Sequence, residues 1–321
     1  MLMFTALLLS STLISISASS WLIAWLGLEI NLLSFIPLMK KMNKFTSEAM
    51  IKYFIVQALA SMVLIMSMML SMSNTEMPTY SPYSLMMSSS LLLKMGAAPL
   101  HYWFPEVMSG LEWPVALLLS TWQKITPSVL LSLSHPETIL ITLTAIMSIM
   151  IGSLQSMGQT CMRKLMAYSS INNIGWMIPL IFMNTNTWML YLIIYSTISA
   201  SIILTLKKTK IFYLSQMNKL MHSNKAMKIF FSMSFLSLSG LPPFLGFMPK
   251  WMTIQTMILE KMTTTVMVMV IFTLLMVFVY TRIIMTSLAI SSTESLKINN
   301  NHMSKLIFIS VYGLPISTMM F

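Results

Sequence analysis

Apolar stretches long enough to cross a lipid bilayer recur along the whole 321-residue chain. A helix needs roughly 20 predominantly apolar residues to span a hydrocarbon core. Because 56% of the residues are hydrophobic and only 8% are charged, there is too little polar surface for a water-soluble globule. We therefore predict an all-α polytopic membrane protein with eleven transmembrane helices. The predicted spans are 2–18, 22–39, 50–72, 83–104, 112–133, 137–156, 163–183, 187–206, 226–258, 264–289 and 305–320.

Basic residues concentrate in alternate connections and predict the orientation of the chain. Most of the nineteen Lys and Arg residues flank the second, sixth, eighth and tenth connections, which share one side of an eleven-span protein. Connections rich in Lys and Arg stay in the compartment of synthesis. The N-terminus is therefore expected inside and the C-terminus outside. Topology and anionic lipid explain these basic connections, so no nucleic-acid partner is expected.

Four charged residues fit no connection and fall inside predicted spans: Glu29, Lys94, Lys124 and Lys250. A charge in the membrane needs a partner, a water-filled cavity or a function. Glu29 is either one half of a static salt bridge or the partner of Lys94 in a pair that forms and breaks. Lys124 lies in the middle of the fifth span and is our candidate for a lysine that loads and unloads a proton. Lys250 is either a further station or a side chain that extends from a helix end to the membrane surface.

Four other polar residues are candidate relays near these spans: His101, Tyr168, Asn172 and Asn173. A histidine titrates close to neutral pH and can pass on a proton. Ordinary hydrogen bonding between helices explains such residues equally well. Both interpretations remain open from the sequence.

The fourth and ninth spans share the pattern G-x-x-P-x5-P-[E/K], which begins at Gly96 and at Gly240. Glycine and proline interrupt helices, and interrupted helices at matching places of inverted repeats mark ion pathways in transporters. With thirteen prolines, chance similarity is the alternative. The pattern predicts one membrane domain, 1–321, with a first five-helix repeat over 1–133, an inverted second repeat over 137–289 and a C-terminal helix over 305–320.

Redox centres are not expected in this chain. Its single cysteine, Cys161, cannot form an internal disulfide or hold an iron–sulfur cluster. The four histidines, at positions 101, 135, 222 and 302, lack the spacing of a metal or haem site. We expect neither a cofactor nor a metal ion in the chain itself.

Five segments in order along the chain resemble the chain 2 family of the mitochondrial NADH:ubiquinone oxidoreductase, respiratory complex I. The resemblance implies an antiporter-like fold of inverted five-helix repeats in its shortened animal form. It also aligns the four buried charges with the charged axis of a proton channel. The matching segments are Trp25–Phe35, Leu93–Glu106, Trp122–Pro127, Ala167–Met177 and Ser239–Trp251.

The same resemblance implies partners, location and source. NADH, FMN, iron–sulfur clusters and ubiquinone are expected on partner subunits. The expected partners are the other complex I membrane subunits, including neighbouring antiporter-like chains, and phospholipids such as cardiolipin. The expected location is the mitochondrial inner membrane, with the N-terminus in the matrix and the C-terminus in the intermembrane space. The 38 methionines and a start without a transit peptide are typical of an animal, and specifically an arthropod, mitochondrial genome.

One position departs from the family pattern. Where relatives have a histidine in the seventh span, this chain has Asn172-Asn173, and an amide can orient water but cannot take a full charge at neutral pH. The expected function is that of a core membrane subunit, part of an H⁺-translocating NADH:ubiquinone reductase, which moves protons while other subunits transfer electrons. A stand-alone cation/proton antiporter and a structural membrane scaffold are the alternatives.

Overall fold

A computed structural model describes residues 2–40, 43–73, 82–134, 136–217 and 225–288. Every named element in these ranges is an α-helix or a short 3₁₀ helix. The predicted C-terminal helix over 305–320 lies outside the described residues, as do His135, His222 and His302. The chain divides into two compact units, Met1–Ser148 and Ile149–Phe321.

The first unit is built from helices that follow one another with short connections. Ser20 caps the second helix, since its side chain accepts a hydrogen bond from the N–H of Ile23 at 3.4 Å. The third helix begins six residues before its predicted span, because a helix can continue past the apolar window. The helices are α1 (Leu2–Ile16), α2 (Trp21–Met39), α3 (Lys44–Ser73), α4 (Pro82–Met95), α5 (Trp103–Gly110), α6 (Trp113–Ser120), α7 (Ile125–Leu133) and α8 (Thr138–Met157), the last of which ends in the second unit.

The second unit packs around a buried central helix, α9, which is enclosed along nearly its whole length. Helix α10 begins at a capping residue, Asn184, whose side chain accepts from two backbone N–H groups. Helices α10 and α12 pack against α9, and α11 packs against α10 and α13. The helices are α9 (Met162–Met183), α10 (Thr185–Thr209), α11 (Lys225–Ser239), α12 (Phe247–Leu259) and α13 (Thr263–Leu288).

Five helices in the described part of the chain are long and apolar enough to cross a membrane: α2, α3, α8, α10 and α13. This confirms the all-α membrane character that the sequence predicts. The predicted fourth, fifth and ninth spans are not continuous helices. Residues 96–102, 121–124 and 240–246 interrupt them.

The interruptions that follow α4 and α11 have the same backbone conformation. Gly96 and Gly240 adopt φ values of 74° and 82°, which are accessible mainly to glycine. In each case the glycine N–H donates to the carbonyl three residues back at 3.1 Å, and the next N–H donates to the carbonyl five residues back. These two bonds define a Schellman cap. The two copies of the sequence pattern therefore share a local structure.

The helices that follow the breaks begin alike but carry their charges differently. Pro105 and Pro249 each occupy the third position of a helix, where a backbone N–H would lack an intrahelical partner in any case. Glu106 then lies exposed and forms an ion pair with Lys52 of α3, whereas Lys250 is buried. The motif thus repeats the break and not the environment of its last residue.

A third interruption lies inside the span predicted over 112–133. Helix α6 ends at Ser120, a 3₁₀ turn covers Trp122–Lys124, and α7 begins at Ile125. Pro127 explains this break, because it has no N–H for the carbonyl four residues earlier and its ring crowds that carbonyl. Lys124 therefore lies on an irregular segment instead of the middle of a helix.

Gly246 allows the break before α12 to approach α11 closely, and we expect Gly246→Ala to destabilise the protein. A Cβ atom at this position would lie 1.7 Å from the carbonyl oxygen of Ser237, so the two segments must separate, at a cost of about 1–3 kcal/mol or more. The thermal-unfolding midpoint in mild detergent measures the effect. Gly158→Ala is the matched control, because a Cβ there meets no atom within 4 Å. Equal midpoints for both variants would contradict this packing.

Candidate functional site

The first unit brings Lys94 and Lys124 to the walls of one cavity. Their exposed fractions are 7% and 3%, so both side chains are removed from solvent. The cavity leaves about 20 Å³ for the centres of water-sized molecules, which is room for one water. Its other polar lining residues are Asn31, Tyr53, Gln57, Gln123 and Thr126. Two buried amines with neutral hydrogen-bonding groups around them form a site where a proton can be held.

Glu29 lies on α2 outside the lining of this cavity, and its charge interacts with that of Lys94. Its Oε1 atom is buried and has no hydrogen-bond partner among the described residues. A buried carboxylate oxygen without a hydrogen-bond donor raises the free energy of the protein. Glu29 therefore has hydrogen-bonding capacity left for water or for a lysine that moves towards it.

Lys94 occupies the last turn of α4, where side chains from other segments donate to the backbone carbonyl groups. Trp103 Nε1 donates to the carbonyl of Leu93 at 3.0 Å, and Gln57 Nε2 donates to the carbonyl of Lys94 at 3.4 Å. The partial negative charge at a helix C-terminus favours a cation. The break after α4 thus provides Lys94 with a favourable place inside the membrane.

Lys124 ends the 3₁₀ turn and faces the ring of Phe104. Its Nζ atom lies 5.7 Å from the ring centroid, within the range of a cation–π interaction. Ser128 Oγ donates to the Lys124 carbonyl at 2.7 Å and so restrains the start of α7. An aromatic face at this distance helps to stabilise the charged form of Lys124.

In the second unit, Lys250 binds the end of the preceding helix. Its side chain is 8% exposed, and its Nζ atom donates to the carbonyl of Ser239, the last residue of α11, at 2.6 Å. Gly240 makes room, because a Cβ there would lie 2.8 Å from Lys250 Cδ. The side chain is therefore held inside the unit and does not extend to the surface.

The two asparagines of α9 are both buried, but they make different contacts. Asn173 Nδ2 donates to the carbonyl of Ser169 at 2.8 Å, and Asn173 Oδ1 accepts from the hydroxyl of Tyr191 at 2.9 Å. Asn172 Oδ1 has no hydrogen-bond partner among the described residues. Tyr168, one helical turn earlier, is half-buried. Asn173 is thus fixed, whereas Asn172 still has an acceptor for water.

The asparagine–tyrosine pair lines a second, narrower cavity in the same unit. This cavity also includes Tyr195 and Pro249, the residue that precedes Lys250. It leaves about 10 Å³ for the centres of water-sized molecules, close to the minimum for one water. This cavity therefore brings together polar groups of α9 and α10 and the end of the break that precedes Lys250.

His101 lies within the break after α4, and the cavity lining does not include it. It is 1% exposed, its Nδ1 atom lies 3.1 Å from the carbonyl oxygen of Pro99, and its ring is 4.4 Å from that of Tyr102. These contacts suit a residue that stabilises the loop. A relay role for His101 stays a prediction.

Most buried hydroxyl groups near the site donate to their own helix. The hydroxyls of Ser120 and Ser169 bond to carbonyls three residues back, which satisfies them within an apolar environment. Thr126 differs, because its Oγ1 atom is buried without a partner among the described residues and lines the lysine cavity. It is the best-placed protein group for binding a water there.

Sequence reasoning missed several neutral residues of the site, above all Asn31, Gln57 and Tyr191. Their side chains carry no charge, so a search for charged residues within the predicted spans does not identify them. One signal was available, since Pro127 lies four residues after Gln123 and predicts a helix break there. No group of three or more His, Cys, Asp and Glu that could hold a metal ion occurs among the described residues.

Comparison with known proteins defines the class. Residues 18–277 match the family described as NADH:quinone oxidoreductase/Mrp antiporter, TM. A chain from the structure of respiratory complex I of Thermus thermophilus with bound aureothin has a similar fold, with a TM-score of 0.85 and 21% identity. That similarity covers 95% of this chain and 74% of the other. The fold is that of the antiporter-like membrane proteins.

Closer relatives identify the family within this class. NADH-ubiquinone oxidoreductase chain 2 of Anopheles gambiae is 42% identical, over 99% of this chain and 97% of the relative. The protein of the same name from Locusta migratoria is 39% identical, over 99% and 93% of the two chains. The chain belongs to the NADH-ubiquinone oxidoreductase chain 2 family, which confirms the resemblance stated from the sequence.

We expect Tyr191→Phe to destabilise the second unit, because it leaves Asn173 Oδ1 buried without its donor. Loss of one such hydrogen bond costs roughly 0.6–2 kcal/mol. The change in thermal-unfolding midpoint measures it. Tyr213→Phe removes the same atom from a residue that is 48% exposed and should leave the midpoint unchanged. A drop of equal size in both variants would argue against the pair.

Proposed function

We propose that the chain is a core membrane subunit of NADH:ubiquinone oxidoreductase in the mitochondrial inner membrane, and that it translocates protons through Glu29, Lys94, Lys124 and Lys250. Membership of the chain 2 family supports the assembly. The observation that carries the proton role is the cavity that contains two buried lysines, with Glu29 close enough to influence one of them.

Lysine suits this task because its neutral form is stable in an apolar site. Burial disfavours a charged ammonium group, whereas a nearby carboxylate favours it. A change in the distance between Glu29 and Lys94 would therefore load or unload a proton. Water in the cavity would carry that proton to Lys124, with Thr126 as a hydrogen-bonding group on the way. Arginine could not replace these lysines, since it stays charged.

The energy for this transfer would come from outside the chain. NADH, FMN, iron–sulfur clusters and ubiquinone would bind to partner subunits, and their electron transfer would drive the cycle. Moving one charge against 100 mV costs about 2.3 kcal/mol. That amount is comparable to the electrostatic interaction of two opposite charges in a partly buried site.

The proposed architecture is a pair of inverted five-helix repeats, 1–133 and 137–289, followed by a helix over 305–320 to give eleven spans. The identical caps at Gly96 and Gly240 support this arrangement. The basic connections favour an N-terminus in the matrix and a C-terminus in the intermembrane space. The proposed partners are other complex I membrane subunits, including neighbouring antiporter-like chains, and anionic phospholipids such as cardiolipin.

Replacement of the cavity lysine tests the proton role directly. We expect Lys124→Met to lower the number of protons moved per electron in inner-membrane vesicles, because methionine cannot be protonated. Lys124→Arg should lower it too, since arginine cannot release its proton. Lys261→Met is the matched control, because Lys261 is exposed at the end of α12. A scaffold with static charges predicts an unchanged ratio in all three variants.

Membership of the complex can be tested separately. We expect peptides of this chain in the native-gel band that oxidises NADH, after gentle solubilisation of inner membranes. We also expect the purified chain to move no Na⁺ or K⁺ when it is reconstituted alone in liposomes. Absence from the active band together with cation transport by the isolated chain would favour the stand-alone antiporter instead.

A further inference from the structure

Two amide side chains, Asn31 and Gln123, form a reciprocal pair beside the lysine cavity. Asn31 Nδ2 donates to Gln123 Oε1, and Gln123 Nε2 donates to Asn31 Oδ1, both at 3.0 Å. Asn31 is 3% exposed. The pair joins α2 to the 3₁₀ turn although the two residues lie 92 positions apart.

The 3₁₀ turn is short, and its backbone hydrogen bonds reach back three residues, which is a weaker geometry than that of an α-helix. Pro127 offers no N–H to the Gln123 carbonyl. The hydroxyl and the N–H of Thr121 both donate to the Leu117 carbonyl, at 2.8 Å and 3.0 Å, and end α6. The Lys124 N–H donates to the Thr121 carbonyl at 3.3 Å, and the Ile125 N–H donates to the Trp122 carbonyl. A tertiary restraint such as the Gln123 side chain therefore has a large influence on where the turn lies.

The restraint acts directly beside Lys124. Gln123 is the preceding residue, so the attachment of Gln123 to α2 fixes the direction from which the Lys124 side chain enters the cavity. Both amides and both lysines line that cavity. The amides keep their mutual bonds when a lysine gains or loses a proton, because amides do not titrate at neutral pH.

The reciprocal geometry also prevents either amide from inverting alone. If one amide rotated by half a turn, its NH₂ group would face NH₂ and its oxygen would face oxygen. Each amide still has one N–H and one oxygen lone pair that the pair does not use. These groups therefore point in fixed directions and can order water in the cavity.

We infer that Asn31 and Gln123 are positioning residues, which hold Lys124 against the cavity it shares with Lys94 in both charge states of the lysine. This inference rests on the proposed proton-translocating function. It assigns no proton to either amide, since both act through Lys124.

The experiment compares broken and exchanged pairs in the assembled complex. Asn31→Leu and Gln123→Leu each remove the pair. The double variant Asn31→Gln/Gln123→Asn keeps it, because the total number of methylene groups between the two backbones is unchanged. Protons moved per electron are measured per assembled complex in vesicles, beside Lys124→Met. Each leucine variant should lose as much of the ratio as Lys124→Met, and the exchange should restore most of that loss.

Gln255→Leu is the matched control, because it makes the same chemical change at an exposed glutamine of α12 and should pump like the wild type. If a leucine variant does not assemble, Asn31→Gln or Gln123→Asn alone takes its place. Each keeps an amide but changes the spacing by one methylene, so the same loss is expected.

The outcomes separate this inference from the function it rests on. A normal ratio in the pair variants beside a reduced ratio in Lys124→Met overturns the positioning role only. The same holds if the exchanged pair is as deficient as the broken one. An unchanged ratio in Lys124→Met overturns the proposed function and the positioning role with it.

Discussion

The cost of placing a charge in an apolar interior is the constraint on which this structure depends. A lysine at the centre of a membrane helix costs about 2.5–3.5 kcal/mol on insertion scales, so each buried lysine needs a local compensation. For Lys94 and Lys250, the C-terminal end of an interrupted helix provides this compensation. Lys94 lies in the last turn of α4, and the Lys250 side chain donates across a break to the carbonyl of the last residue of α11. For Lys124, the ring of Phe104 and the polar groups of the cavity provide this compensation.

The broken helices follow from glycine and proline, and they explain why the charges are where they are. Gly96 and Gly240 end their helices with a positive φ, and Pro105 and Pro249 fit the first turn of the helix that follows. Each break frees carbonyl groups that tryptophan, glutamine or lysine side chains then bind. Interruptions that would weaken a soluble helix thus create the sites that make buried cations tolerable. The same Schellman cap occurs in both units. Lys94 precedes the break in the first unit, whereas Lys250 follows the break in the second.

The sequence predicts the features that depend on strong local signals. The four charges inside predicted spans stand out because so few charges are present, and the breaks at Gly96 and Gly240 stand out because glycine and proline recur at fixed spacing. The break before Lys124 escaped prediction, although Pro127 signals it. The Asn31–Gln123 and Asn173–Tyr191 pairs could not be predicted, because neutral polar residues are common in membrane helices and their pairing depends on tertiary packing. Glu106 and Lys250 occupy the same place in the motif, but Glu106 is exposed and Lys250 is buried, so the motif alone does not predict burial.

If Lys124 translocates protons, its protonation state must change as the enzyme turns over. Isotope-edited infrared difference spectroscopy of ¹⁵N-lysine-labelled vesicles, driven by NADH, observes this change most directly. We expect a lysine ammonium band that is lost and regained with turnover and that is missing from Lys124→Met vesicles. Lysine bands that stay constant during turnover, while electrons flow and protons are still moved, would contradict it.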